Sequence, residues 1–163
     1  MIHLIDMNQL RGIVISEAYA ENDEDDGKQL VLNEIVELDV FNCIQELCIM
    51  DFKVTLPLET FFHIPYLTVS VPTITIEDVL LIKKNMLTSP TAKSRKVYYD
   101  SIKDADMLHN TLGHAHRGYN QVSWYFKLPE SDQTLEICGG NDGDCFSFKW
   151  INASRISTDA VVY

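Results

Sequence analysis

Three histidines within eight residues form the group whose side chains are best suited to chemistry: His109, His114 and His116, spaced H-x4-H-x-H. Imidazole titrates near neutral pH and binds transition metals, so the spacing suggests a small metal-dependent enzyme. Metal enzymes commonly add a carboxylate held by supporting hydrogen bonds, and no HExxH or comparable signature is present. We therefore keep the metal enzyme as an alternative, and favour a surface loop with incidental histidines, no metal and no cofactor.

The four cysteines fall in two pairs, Cys43 with Cys48 and Cys138 with Cys145. Structural zinc sites usually use shorter C-x2-4-C spacings, which only the first pair meets, so we interpret all four as buried thiols of a reducing compartment. The sequence has no G-x-S-x-G elbow, no Walker A loop and no G-x-G-x-x-G fingerprint. We assign no catalytic residue.

Acidic residues concentrate near the N-terminus, where residues 22–27 read NDEDDG. This resembles the start of an EF-hand loop, but the position that should hold the bidentate Glu is Asn33, so a regular calcium loop is rejected. The net charge of the whole chain is -11. Residues 1–80 carry −12 of it (3 − 15) and the remaining residues +1 (10 − 9). Such a charge argues against duplex DNA and anionic membranes as partners, because both attract clustered Lys and Arg.

One basic cluster runs against this trend, Lys93, Arg95 and Lys96 followed by Tyr98 and Tyr99. Cations beside stacking rings are the features that bind single-stranded RNA, so the cluster defines a minor alternative.

The charge asymmetry favours a non-catalytic acidic inhibitor that binds and neutralises a basic protein, because carboxylates steer basic partners into contact. The class that best fits this description is a bacterial toxin immunity protein, for instance one against a nuclease. A phage or secretion-system structural or inhibitor protein, with possible homo-oligomers, is the other alternative. The residues predicted to bind the partner are Glu21, Asp23, Glu24, Asp25, Asp26, Glu37 and Asp39. Glu17 and Glu34 are second choices for the same surface.

Period-two alternation of apolar residues predicts mostly strands. It predicts one strand from 30 to 41, with Glu37 and Asp39 on one of its faces. Further strands are predicted at 12–19, 66–71 and 73–76, and changes of parity predict irregularities near Asn42 and Asp51. Pro57, Pro65 and Pro72 should stand at strand ends, edges or bulges, since proline lacks the ladder donor.

Two capping boxes predict two short helices. Thr75 and Asp78 begin the first, which should end near Leu87, and Ser101 and Asp104 begin the second, which should end before Gly113. The last third predicts an antiparallel meander with strands at 121–128, 133–138 and 145–151. The resulting fold class is α+β: a single globular domain over 1–163, with a mostly antiparallel β-sheet, either a sandwich or a curved sheet, and two short helices. The first residues lack a secretory signal pattern, so we expect a cytoplasmic protein.

Overall fold

The computed structural model describes residues 10–16, 29–30, 32–118, 121–140 and 145–163. Nine strands, three α-helices and four 3-10 turns succeed one another in that part of the chain. The strands are β1 (Gly12–Ile15), β2 (Gln29–Leu30), β3 (Glu46–Val54), β4 (Tyr66–Ile74), β5 (Ser94–Ile102), β6 (His116–Arg117), β7 (Gln121–Lys127), β8 (Gln133–Gly140) and β9 (Cys145–Asn152). The helices are α1 (Asn33–Val36), α2 (Ile76–Thr88) and α3 (Leu108–Leu112), and the 3-10 turns are Asp39–Cys43, Leu58–Phe61, Ala105–Met107 and Ala153–Arg155.

One mixed sheet joins these strands in the order β1-β3-β4-β5-β9-β8-β7-β6, with β2 also paired to β3. The pairings among β1, β3, β4 and β5 are parallel, whereas β5 to β9, β9 to β8, β8 to β7 and β7 to β6 are antiparallel. The α+β class and the C-terminal meander are therefore confirmed. The prediction of a mostly antiparallel sheet is wrong for the N-terminal half.

Parallel pairing arises from the connections between strands. A parallel pair needs a crossover, and helix α2 supplies one between β4 and β5. Residues 55–65, which include the 3-10 turn at 58–61, supply another between β3 and β4. When successive parallel strands are added on the same side of the sheet, as β3, β4 and β5 are, right-handed crossovers all lie on one face of the sheet. Alternation within a strand reports burial and carries no information on the direction of its neighbour, so the sequence pattern missed this feature.

The predicted strand over 30–41 is also wrong. Of the residues that the structure describes in this stretch, only Leu30 belongs to a strand, and most of the others form α1 and the 3-10 turn Asp39–Cys43. Leu32 and Phe41 are both buried, so the apolar residues of this stretch reach the core from helical turns. Over so few residues, the spacing of apolar residues does not distinguish the strand period of 2 from the helix period of 3.6.

The parity change predicted near Asp51 is confirmed as an irregularity in β3, where the register with β4 shifts between Cys48 and Lys53. Pro65 directly precedes β4, as predicted, whereas Pro57 lies between β3 and β4 at the N-cap of a 3-10 turn. Pro72, however, lies inside β4, which continues through it. It is tolerated there because the pairing with β3 ends at Ser70, so the missing N–H breaks no ladder on that side.

Both predicted helices are present, but only one has the predicted start. Thr75 Oγ1 accepts from the Asp78 backbone N–H at 3.1 Å, and the Asp78 carboxylate accepts from the Thr75 N–H at 2.9 Å. The second predicted capping box does not form, since Ser101 stays in β5 and Asp104 adopts a left-handed conformation with φ 58. Gly113 ends α3 with φ 89, as expected for a residue that needs positive φ.

The core lies between α2 and one face of the sheet, and it includes Val69, Ile82, Phe146 and Phe148. Arg95 is fully buried on the same face. Among the described helices, none is long and apolar enough to cross a membrane.

Candidate functional site

The second face of the sheet, which we call the open face, faces away from α2. On β4 the buried Leu67, Val69 and Val71 point to the core, so pleat alternation turns Thr68 and Ser70 to the other side. The open-face residues of adjacent strands lie opposite one another in register. One row reads Gly12, Glu46, Tyr66, Ser94, Lys149, Glu136 and Tyr125, and the next reads Val14, Cys48, Thr68, Lys96, Ser147, Cys138 and Ser123.

Large apolar side chains are exposed at the β1 end of the open face. Val14 is 67%, Met50 46% and Tyr66 50% exposed, on the neighbouring strands β1, β3 and β4. Val14 pairs with Cys48, two positions before Met50, and Tyr66 pairs with Glu46, four positions before Met50, so the three are spread along this end of the face. Single exposed apolar residues are ordinary, but three on adjacent strands of one face are less so, and we call these three the patch. Tyrosine and methionine are enriched in protein interfaces, so this patch is typical of a protein-binding surface.

Beside the patch, a depression of about 590 Å³ opens at the irregularity in β3. Met50, Asp51 and Lys53 line it from β3, Ser70 from β4, and Tyr98, Tyr99 and Asp100 from β5. It lies near the carboxyl ends of the parallel strands, where side chains from neighbouring strands converge. The β3 irregularity supplies the room for it.

Lys53 spans this depression. Its Nζ donates to Asp100 Oδ1 at 2.6 Å and to Ser70 Oγ at 3.0 Å, so the ammonium bridges three strands. The Lys53 side chain is 19% exposed and that of Asp100 60%. The ion pair therefore fixes the Lys53 stem while leaving the carboxylate accessible from solvent.

Lys96 occupies the middle of the open face. Its Nζ lies 4.7 Å from the centre of the Tyr98 ring, a cation–π distance, and the Tyr98 hydroxyl raises the pKa of this lysine. Among the described residues no carboxylate forms an ion pair with it. Burial raises the pKa of Cys48, and the charges of Glu46 and Asp51 add to that effect. These pKa directions leave the lysine charged and the thiol protonated, so no activated nucleophile is formed.

The β8 and β9 part of the open face holds a buried carboxylate. Glu136 accepts from Lys149 Nζ at 3.0 Å and from the Tyr125 hydroxyl at 3.3 Å. The hydrogen bond to Glu136 raises the pKa of Lys149, and burial raises the pKa of both Tyr125 and Cys138. Because the carboxylate is satisfied by its neighbours, this network stabilises the sheet and offers no free acid or base.

The structure brings two of the three histidines together: His109 and His114 line one depression of about 480 Å³, and His116 is not among its lining residues. His109 lies in the last turn of α3 with its ring 5.8 Å from that of Trp124, and the His114 backbone N–H donates to the Tyr163 hydroxyl. His116 points to Asp159, with 3.7 Å between Nδ1 and Oδ2. In the described part of the chain, no three His, Cys, Asp or Glu side chains are placed to hold a metal ion. The geometry therefore gives the metal-enzyme alternative no support.

Most of the predicted partner-binding residues cannot be placed. Glu17 and the acidic residues Glu21, Asp23, Glu24, Asp25 and Asp26 lie outside the described residues, as does the Glu34 side chain. Glu37 and Asp39 are exposed, but they flank the junction between α1 and the following 3-10 turn. The prediction that these two share a strand face is wrong, because no strand forms there.

Arg95, which the RNA-binding alternative placed on the surface, is buried in the structure. Its Nη1 donates to Pro65 O at 2.7 Å and its Nη2 to Phe62 O at 3.0 Å and Asn85 Oδ1 at 3.1 Å. Burial lowers the pKa of this guanidinium to about 10. The side chain therefore ties β5 to α2 and to the segment before β4, and it cannot reach a nucleic acid.

The patch residues Val14, Met50 and Tyr66 were missed by the sequence reasoning. The sequence did contain a signal, because Met50 and Tyr66 are at even-numbered strand positions, like the polar residues Glu46 and Thr68. An apolar side chain among polar neighbours on the solvent side of a strand indicates a surface for contact.

The described residues form a domain of α+β class, in which one mixed sheet brings polar and apolar side chains of neighbouring strands together on one face. The family model of the FTH domain matches residues 1–114, and the chain belongs to this F-box-associated family of nematode type. No curated protein and no solved structure matches the chain.

Family membership corrects the functional prediction. A bacterial toxin immunity protein, the class favoured from charge and size, is excluded by the match to an FTH domain, and so is a phage or secretion-system protein. Small size and acidic charge are properties that many unrelated domains share, so they could not identify the class. The open face was found only once the strands were placed.

Proposed function

We propose that this FTH domain is a non-catalytic protein-binding domain that uses the β1 end of its open face to hold a protein partner in the cytoplasm. The observation that carries the proposal is the exposure of Val14, Met50 and Tyr66 on three neighbouring strands of one face. Burying such side chains contributes about 25 cal/mol per Å² of apolar area, so the patch can supply the central contact of an interface.

Charge indicates the chemistry of the partner. The whole chain carries a net charge of -11. Near the patch, Glu46 is exposed and forms no ion pair with a described residue. A partner surface that combines Lys or Arg with apolar side chains complements both properties, and the acidic domain would steer it into contact.

The cysteines support a cytoplasmic site of action. None of the four is joined in a disulfide; Cys138 is buried as predicted, whereas Cys43 is exposed, contrary to the prediction. Cysteines that form no disulfide in a chain with four of them are typical of a reducing compartment.

The test compares two methionines of similar exposure. Met50 on the patch is 46% exposed and Met107, on the 3-10 turn before α3, is 51% exposed. Tagged wild type, Met50→Asp and Met107→Asp are used to capture proteins from an extract of the source organism. Proteins retained by wild type and Met107→Asp but lost from Met50→Asp are then purified and titrated against all three by calorimetry.

We expect Met50→Asp to weaken binding at least tenfold, about 1.4 kcal/mol, because it places a charge in an apolar contact. Met107→Asp should bind like wild type. Binding should also weaken with added salt, since basic and acidic surfaces attract each other less when screened. Equal affinity of wild type and Met50→Asp for every purified partner would refute the proposed surface.

A further inference from the structure

Strand β1 ends the sheet order, and among the described residues no strand pairs with its outer edge. The Glu46 backbone N–H donates to Arg11 O at 3.1 Å, so the Arg11 carbonyl faces β3. Because the N–H and C=O groups of successive strand residues point to alternate sides, Ile13 and Ile15 also face β3. Gly12 and Val14 therefore direct their N–H and C=O groups away from the sheet.

The side chains beside this edge are arranged to accept a neighbour. Gly12 pairs with Glu46 in register and contributes no side chain to the open face. A Cβ placed on Gly12 would lie 3.9 Å from Glu46 Oε2, so the carboxylate leans over Gly12 toward the edge. Val14, two residues on, has its side chain 67% exposed on the same face.

We propose that an extended segment of a basic protein partner pairs with β1 and extends the sheet by one strand. This inference rests on the proposed protein-binding function and specifies how the partner is held. The new backbone hydrogen bonds form at Gly12 and Val14, as in other cases of strand addition to an exposed edge. The residue opposite Gly12 is Lys or Arg, and it reaches over Gly12 to the Glu46 carboxylate.

The geometry defines the spacing of the partner's residues. The residue opposite Gly12 is two strand spacings from Glu46, about 10 Å between Cα atoms, which the combined length of an Arg and a Glu side chain spans. Because side chains alternate, the residue two positions from the basic one lies opposite Val14 and should be apolar. The recognised pattern is therefore a basic and an apolar residue separated by one position.

A second copy of this chain is a poorer occupant of the same edge. Each copy carries a net charge of -11, so two copies repel each other. The partner must instead bring the positive charge that Glu46 faces.

The probe is an acetylated and amidated seven-residue peptide, Thr-Val-Thr-Arg-Thr-Val-Thr. Valine stands two residues to either side of the arginine, so the pattern is present in both strand directions. Its control contains citrulline in place of arginine, which keeps the shape and removes the charge. Each peptide is titrated into the full chain, and hydrogen exchange of single backbone amides is followed by NMR.

We expect the arginine peptide to slow exchange at Gly12 and Val14, whose amides are the outward ones, and to leave Ile13 and Ile15 nearly unchanged. The citrulline peptide should bind about tenfold more weakly, because the charge-assisted contact with Glu46 is lost. Glu46→Gln should abolish this difference between the peptides. Glu59→Gln, at an exposed residue of the 3-10 turn 58–61, should retain it.

Val14→Pro removes an outward N–H without removing a hydrogen bond to β3, and it should prevent pairing of either peptide. Val14→Thr keeps the N–H and the branched side chain, and should bind. If Val14→Pro does not fold by circular dichroism, the exchange data on wild type and Glu46→Gln carry the test.

Three results would overturn the inference. They are protection confined to residues other than Gly12 and Val14, equal affinity for the arginine and citrulline peptides, and protection that appears without peptide and rises with protein concentration. The last would show self-association. If the peptide fails while Met50→Asp still abolishes partner binding, the edge inference is wrong and the proposed function stands. If both fail, the protein-binding function itself is wrong.

Discussion

Lys53 on β3 reaches across β4 to Asp100 on β5, with 2.6 Å between Nζ and Oδ1. The intervening strand contributes Ser70, which lies in register with Lys53 and accepts from the same ammonium. The ion pair thus crosses two strand spacings and forms the floor of the depression beside the exposed patch. If the partner binds as proposed, a salt bridge in this position orders part of the surface that it contacts.

We predict that Lys53→Met lowers the free energy of unfolding by no more than about 1 kcal/mol, because the Asp100 carboxylate is largely solvated and partly exposed pairs are screened. The effect on partner affinity should be larger, since loss of the ammonium frees Asp100 and Ser70 to move. Urea unfolding and calorimetry measure the two quantities. Lys93→Met, at an exposed lysine before β5, serves as the control for a general loss of charge. A loss of several kcal/mol in the free energy of unfolding of Lys53→Met, with unchanged partner affinity, would contradict the role of Lys53 in ordering the binding surface.

A second prediction concerns Arg95. Replacement by Met removes the Arg95 donors to Pro65 O, Phe62 O and Asn85 Oδ1. Pro65 O keeps the backbone N–H groups of Lys93 and Ser94, so the loss falls mainly on Phe62 O and Asn85 Oδ1. Unsatisfied buried groups cost about 1–3 kcal/mol each, partly offset by the relief of a buried charge, so Arg95→Met should lose about 3 kcal/mol in urea unfolding. Lys96→Met, the next residue on the opposite face, should lose less than about 1 kcal/mol. Equal losses in the two variants would show that the Arg95 bonds do not hold β5 to α2.

Much of the fold was predictable where local chemistry decides the conformation. The capping box of Thr75 and Asp78 is a local hydrogen-bonded unit, so its sequence predicted the start of α2. The meander formed by β7, β8 and β9 was predictable because short connections join its strands and because apolar and polar residues alternate along each strand. Parallel pairing in the other half depends on which strands the crossovers bring together, and that relation between distant segments leaves no local pattern.

The site was predictable to a smaller extent. Charge asymmetry pointed to the acidic run at 21–26, which lies outside the described residues, and to Glu37 and Asp39. The residues on which the proposed surface depends are instead Val14, Met50 and Tyr66, which come from three different strands. They become one patch only through the pairing of β1 with β3 and of β3 with β4. Arg95 shows the opposite error, because its charge suggested a surface role and the strand alternation of β5 buries it.

A third prediction concerns alkaline pH and the network around Glu136. The pKa values of Cys138, Tyr125 and Lys149 are raised above their ordinary values of 9.0, 10.0 and 10.5. Burial is the main cause for the first two and the hydrogen bond to Glu136 for Lys149. A raised folded-state pKa means that the folded chain binds these protons more tightly, so this stability is present below the unfolded pKa and is lost as the pH rises through the folded pKa.

We therefore expect these three groups to reduce the free energy of unfolding progressively above about pH 9. The lowered pKa values of Lys83 and Arg95 act in the opposite direction, and a comparison with Glu136→Gln cancels them. Urea unfolding from pH 8 to pH 11 in a reducing buffer should give a shallower decline for Glu136→Gln than for wild type. Glu59→Gln is the control and should follow wild type. Parallel profiles for Glu136→Gln and wild type would show that Glu136 does not hold these protons.

The fourth prediction concerns Gly113, which ends α3 with φ 89. A Cβ at this position would clash with the Tyr163 hydroxyl oxygen, and residues with a side chain rarely adopt this φ. Gly113→Ala should therefore lower the free energy of unfolding by about 2 kcal/mol or more through strain and displacement of the ring. Gly12→Ala provides a matched control, because its Cβ would meet only Glu46, no closer than 3.5 Å.

The double variant Gly113→Ala, Tyr163→Ala separates the two causes of that loss. Removing the ring relieves the contact but retains the strained backbone, and it also removes the stacking of Tyr163 on Phe126 at 5.7 Å and the hydrogen bond from the His114 N–H. If the clash dominates, Gly113→Ala should cost much less in the Tyr163→Ala background than in wild type, a coupling that a double-mutant cycle measures directly. If backbone strain dominates, the cost should be the same in both backgrounds. A Gly113→Ala protein as stable as Gly12→Ala would contradict both the positive φ at the end of α3 and the packing of Tyr163 against it.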